Sequence, residues 1–285
     1  MLAVAIIFAS TLLHETADTM GKKAVKKRRE TVYSLAFLGI FWSLVFLVAA
    51  ALLGAEFVVT GASLPILIPR IILEAVLAYI GAEAIVRADR STLGFLRLLT
   101  IPLLLVVDII LGYRLTTWQF IGIGLMFGGL LLAFHHNPRG KKGAGLALLG
   151  AVIGVATASL YKWNITHYNS VVGEQVIMFS CLLLFFYVQS VRHSHTSPLR
   201  LLLRPRSGAQ SLAGGLGAAI EGFAYQFAPA SVIIALKRSL ALMWSIVFGH
   251  TYFHEKSFRR KVYSGAVLLA GLCLVVTPYV TKWPW

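Results

Sequence analysis

Residues 229–252 read P-A-S-V-I-I-A-L-K-R-S-L-A-L-M-W-S-I-V-F-G-H-T-Y, a helix-length apolar run with Lys237 and Arg238 side by side inside it. At about 1.5 Å per residue the run is long enough to cross a bilayer, and Lys237 falls about 12 Å from its start. A cation at that depth costs roughly 2.5–3.5 kcal/mol on insertion scales, so both must face protein, water or a ligand and not lipid. Adjacent helical positions differ by about 100°, so the two side chains cover one sector and can reach one cavity. Two readings stand side by side: a lock against buried carboxylates, or the lining of a substrate path. Intramembrane ionisable residues favour the second by default.

The rest of the chain has the composition this run demands. With 58% hydrophobic and 13% charged residues and a mean hydropathy of +0.79, it reads as an all-α, polytopic membrane protein, because a soluble domain carries about a quarter charged residues. Apolar runs of near 20 residues give ten spans, at 2–20, 32–54, 64–87, 91–112, 117–136, 143–166, 171–191, 208–227, 229–252 and 262–280. Residues 2–20 lack the charged start and cleavage site of a signal peptide and read as a retained helix. Cys181 and Cys273 lie inside apolar runs without metal-like spacing.

A net charge of +15 could suggest nucleic acid, but 19 of the 26 Lys and Arg fall in alternate connections, headed by Lys22, Lys23, Lys26, Lys27, Arg28 and Arg29. That is the positive-inside pattern, so the basic partner is the lipid bilayer and no nucleic acid is implied. It places those connections in the cytoplasm and both termini outside.

Charges inside the spans are few. Glu15 and Asp18 share a face near the end of span 1, where the basic loop would meet them; Arg70 and Glu74 are an i,i+4 pair in span 3, as are Glu83 and Arg87. Arg97 and Asp108 share a face of span 4, where Pro102 would kink the helix and free a carbonyl. Lys162 stands beside Tyr161 and Trp163, as a snorkelling cation would. Glu221 and Tyr225 share a face of span 8, with Lys237 or Arg238 as the natural partners of Glu221. Gly124/Gly128 and Gly150/Gly154 are G-x-x-x-G spacings, which permit close helix packing and with it a homodimer. His193 and His195 show no third ligand, so no metal is expected.

The stretch S-T-L-G-F-L-R-L-L-T-I-P, a later Gly, the R-L-T turn and Q-F-I-G resemble the closing part of the EamA-type repeat of the drug/metabolite transporter superfamily. Tyr113 stands where that repeat has a Glu, and Glu255 is near the matching place in the second half, where its neighbouring cations make it a cap. The resemblance implies ten helices as two inverted five-helix repeats, 1–136 and 143–280. Residues 91–99 indeed superpose on 231–239, which sets Arg97 on Lys237, and Gly122 and Gly128 on Gly265 and Gly271 after a three-residue insertion. The Lys237–Arg238 doublet resembles that of the plastidic sugar-phosphate and nucleotide-sugar translocators, where such a pair reads phosphate.

The expectation is therefore a secondary transporter in a bacterial or archaeal inner membrane, moving a small polar and anionic metabolite by alternating access around a site between the repeats. The expected substrate-binding residues are Arg97, Lys237, Arg238, Glu221, Tyr225, Lys162 and Glu74. The alternative is a membrane-embedded enzyme or flippase acting on a phosphorylated lipid. The chain shows no H-E-x-x-H, G-x-S-x-G or P-loop, so neither catalysis nor a cofactor is expected.

Overall fold

The computed structural model describes residues 2–103, 116–135, 143–194, 197–224 and 230–281. Helices α1 (Leu2–Lys26), α2 (Val32–Leu52), α3 (Leu64–Arg87), α4 (Arg90–Arg97), α5 (Thr117–His135), α6 (Ala144–His167), α7 (Val171–Ser194), α8 (Pro198–Leu202), α9 (Pro205–Ala224), α10 (Ala230–Phe253) and α11 (Phe258–Thr281) follow in order, with no strand among the described residues. Each of the ten apolar runs holds helix. The segments Val32–Leu52, Gly61–Arg87, Gly145–His167 and Val171–His193 are long and apolar enough to cross a membrane, so the chain is compatible with a membrane location.

Local chemistry sets the boundaries. Arg28, at φ 53°, turns the chain out of α1. Thr31 then opens α2 with a capping box: its hydroxyl accepts the Ser34 N–H at 3.1 Å, and the Ser34 hydroxyl accepts the Thr31 N–H at 2.8 Å. The end of α4 obeys Pro102. A proline has no N–H and crowds the carbonyl four residues back, here that of Leu98, and α4 stops at Arg97. The backbone tightens there to three-residue bonds, Leu98 to Phe95, Leu99 to Leu96 and Ile101 to Leu98, and the Thr100 hydroxyl donates to the freed Arg97 carbonyl at 2.8 Å. The kink expected at Pro102 is thus a break immediately after Arg97.

The chain forms two compact units. One comprises Met1–Glu15, Arg87–Val152 and Glu221–Trp285, the other Thr16–Val86 and Ile153–Ile220. In the first, Phe95, Leu98, Ile101, Met126, Leu242, Ile246, Leu268 and Leu272 form a buried cluster that joins α4, α5, α10 and α11. Close approach of these helices depends on small residues. A Cβ on Gly271 would stand 2.6 Å from the Gly122 carbonyl, and one on Gly129 2.8 Å from Leu268. Gly94 of α4 meets Ser245 of α10 in the same way. The G-x-x-x-G at Gly124 and Gly128 is not this seam, because both face open space. In the second unit α2 packs along α7, and Gly215 of α9 lies against the backbone of Trp42.

Candidate functional site

The site of the first unit is built around two consecutive residues of α1. Ile7 is fully buried against Leu236 and Leu240, and Phe8 meets the Trp244 ring edge-on with centroids 5.1 Å apart, so α1 lies along α10. Two turns further on, His14 and Glu15 reach different neighbours.

Glu15 is buried, and its two oxygens take one guanidinium each. Arg90 binds one, and Arg97 stands 3.4 Å from the other. The two arginines are seven residues apart, two turns of helix, and therefore share a face of α4. Arg90, which the expected runs 64–87 and 91–112 leave in the connection between them, has a side chain only 1% exposed. Glu15 likewise turns to α4 and not to the basic loop after α1. The physical reason is that a carboxylate this far from water is tolerated only with a partner that can satisfy both of its oxygens.

His14 and Lys237 meet at Glu221. Lys237 Nζ lies 2.8 Å from Glu221 Oε1 and 2.7 Å from Oε2, and His14 Nε2 is 3.6 Å from Oε2. The sequence expectation that Lys237 or Arg238 partners Glu221 is met by Lys237. Arg238, next on α10, is half-buried. Arg97 and Lys237, set on one another by the expected internal repeat, are thus each held by a carboxylate from another helix, and their side chains stay 30% and 33% exposed.

Glu255 supports α4 from the opposite end. One of its oxygens accepts the Arg90 backbone N–H, the other accepts the Ser91 hydroxyl and lies 2.8 Å from Lys261 Nζ. It is a cap, as read, but for α4, whose own entry residue Asp89 makes no side-chain cap bond. Burial pushes the Glu255 carboxyl up, yet the Lys261 and Ser91 hydrogen bonds, the Lys261 charge and the Arg90 N–H outweigh it and hold the group below its ordinary value. Gly249 makes room for it, since a Cβ there would sit 2.6 Å from the carboxylate.

Of the other expected residues, Glu74 belongs to the second unit. There Arg70 leaves its i+4 neighbour and pairs with Glu174 of α7, its guanidinium 4.4 Å above the Tyr161 ring, although its charge still acts on Glu74. Lys162 lies on α6, with its side chain outside the described set, and Tyr225 and Asp108 lie outside the described residues. His14, Glu15 and Arg90 were missed; the seven-residue spacing of Arg90 and Arg97 is the signal that could have called for an acid. No protein-family model matches the chain, and no curated protein matches it.

Proposed function

We propose that the chain is a secondary transporter of a small anionic metabolite, built as inverted repeats 1–136 and 143–280 in a bacterial or archaeal inner membrane. The observation that carries the reading is the helix pairing. Helix α2 packs on α7, α4 on α10 and α5 on α11, and these are the second and seventh, fourth and ninth, and fifth and tenth spans. An inverted duplication of five helices generates just such pairs, because elements beside a two-fold axis meet their own mates.

The substrate class follows from charge. Within α1, α4, α9 and α10 of the first unit the described cations Arg90, Arg97, Lys237 and Arg238 outnumber the acids Glu15 and Glu221. Arg97 stands where its helix breaks, the kind of discontinuity that lines substrate sites in inverted-repeat transporters. An incoming phosphate or carboxylate competes with Glu15 for Arg97 and with Glu221 for Lys237, which links substrate binding to the hold of α1 and α9 on α4 and α10. Arg offers the anion a planar fork and Lys a point charge. Tyr225 remains a candidate for the neutral part of the solute. We take the reading as transport and not catalysis.

The test is uptake into proteoliposomes across a panel of phosphorylated, carboxylated and neutral metabolites. A thermal-shift screen of the same panel is the first pass, since a ligand at 100 times its dissociation constant stabilises by about 2.7 kcal/mol. Anions that both stabilise the protein and are taken up support the reading; uptake confined to neutral solutes overturns it.

A further inference from the structure

In the second unit, helices α3 and α7 are tied at two places and leave a groove between the ties. Near their starts Arg70 pairs with Glu174. Toward their ends Tyr33, in the first turn of α2, bridges them. Its ring stacks on Tyr79 of α3 with centroids 5.3 Å apart and meets the His193 ring of α7 at 4.5 Å. The groove has a volume of about 460 Å³. Ile72, Val76 and Tyr79 line it from α3, at i, i+4 and i+7, and Cys181, Phe185 and Gln189 line it from α7, at i, i+4 and i+8. Each helix therefore gives it a single face.

Shape and polarity narrow the occupant. The lining runs over eight positions of each helix, about 12 Å, which fits within one leaflet of a hydrocarbon core about 30 Å thick. Ile72, Val76 and Phe185 are 59%, 41% and 41% exposed, so the groove lies open along the flanks of two membrane-length apolar helices. A polar solute would find nothing to bind along that floor. A partner helix would want small residues there, and meets Ile72, Val76 and Phe185 instead.

The polar lining residues, Tyr33, Tyr79 and Gln189, gather at one end. Arg192 and His193 follow Gln189 at i+3 and i+4, so they continue the groove's face of α7, and both are exposed. The exposed Lys27, Arg28 and Arg29 lead into α2 just before Tyr33. Of the described acids at this end, Glu83 accepts the Tyr79 hydroxyl at 3.5 Å, and Glu30 is buried and accepts the Ser207 hydroxyl. An apolar slot with a basic, hydroxyl-bearing end has the polarity of an anionic lipid read in reverse.

We propose that this groove holds one acyl chain of an anionic phospholipid, with the phosphate at Arg192 and His193 and the glycerol region level with Tyr33 and Tyr79. Arginine supplies the phosphate with charge-assisted hydrogen bonds, and Lys27, Arg28 and Arg29 add an attraction that needs no contact. The site is independent of the transport reading and requires only that the chain lie in a bilayer.

The thiol of Cys181 is free and exposed in the groove wall, and it reports occupancy directly. The full chain, with Cys273 replaced by serine, is purified in detergent and alkylated with an apolar maleimide. Phosphatidylglycerol, phosphatidylcholine or glycerol phosphate is added at equal concentration. Phosphatidylglycerol should slow alkylation several-fold more than phosphatidylcholine, and glycerol phosphate should leave it unchanged. Arg192→Gln should weaken the phosphatidylglycerol effect about fivefold and spare that of phosphatidylcholine. The comparison of lipids stands without the variant. No slowing by either lipid, equal slowing by both, or glycerol phosphate matching phosphatidylglycerol overturns the proposal. So does an undiminished lipid preference in Arg192→Gln, or slowing that follows protein concentration and not lipid, which would mark a second copy of the chain in the groove. Uptake is not measured in any arm, so a failed transport assay and a failed lipid site are separate results.

Discussion

Lys237 Nζ bridges both oxygens of Glu221, at 2.8 and 2.7 Å. Such a pair fits two accounts, a lock between α9 and α10 or a resting state that an anion opens, and a charge swap separates them. In a pure lock, Glu221→Lys combined with Lys237→Glu rebuilds the pair and restores activity. In a substrate site the swap puts an acid where the anion must dock. We expect the single change Lys237→Ala to lower uptake at least tenfold and the swap to leave it there, with both variants inserting normally. Recovery by the swap supports the lock.

Arg97 and Arg238 should not tolerate lysine. Arg97 shares Glu15 with Arg90, and a guanidinium can hold a carboxylate and still present a second edge to an anion, whereas an ammonium cannot do so in a fixed plane. We expect Arg97→Lys and Arg238→Lys each to raise the KM for the anion more than they lower the maximal rate. Initial-rate measurements over substrate concentration check this, and a rate loss at unchanged KM would speak against contact with substrate.

The four spans at Val32–Leu52, Gly61–Arg87, Gly145–His167 and Val171–His193 were legible in the sequence because length and hydropathy set them, and the helix Leu64–Arg87 coincides with the run 64–87. A kink at Pro102 was legible too, since proline carries its own steric rule, but its place immediately after Arg97 was not. Partner choice was not. Glu15 stands near the end of the expected run 2–20, beside the basic stretch, so local reasoning sent it there, whereas α1 continues to Lys26 and the buried Arg90 pairs with it from 75 positions away. Arg70 has an acid at i+4, but Glu174 and the Tyr161 ring offered it a drier and fuller set of contacts. Neither choice leaves a mark in spacing.

Two loop carboxylates should move stability in opposite directions. Glu255 is held below its ordinary value, so its stabilisation is full above the unfolded value and is lost as pH falls through the lower folded one. Glu30 is raised, because burial outweighs the bonds from Ser207 and Gln210 and the Arg204 charge. Its ionisation costs stability as pH rises from the unfolded value through the raised folded one. At neutral pH we expect Glu255→Gln to lower stability by about 1–3 kcal/mol and Glu30→Gln to leave it unchanged or raise it. Melting curves at pH 4 and pH 7.5 check both signs.

The seam between α5 and α11 gives a packing prediction. Gly271→Ala forces a methyl against the Gly122 carbonyl and should cost about 1–3 kcal/mol, whereas Gly124→Ala meets open space and gains up to about 1 kcal/mol of helix propensity. Thermal unfolding in detergent of the two variants should therefore move apart. Equal shifts would contradict the seam.

Orientation follows the exposed basic stretch after α1. In a chain with Cys181 and Cys273 replaced by serine, a cysteine at Lys26 should resist an impermeant thiol reagent added to intact cells, and one at the exposed Glu56 should react. The reverse order would invert the topology.

The most direct measurement of the central claim is exchange of a labelled phosphorylated metabolite into proteoliposomes preloaded with the same compound, wild type against Lys237→Ala. The account predicts saturable exchange in the wild type, blocked by other small anions and not by neutral analogues, and reduced to the level of empty vesicles by Lys237→Ala. Exchange that survives Lys237→Ala undiminished, or a wild type that moves only neutral solutes, would contradict it.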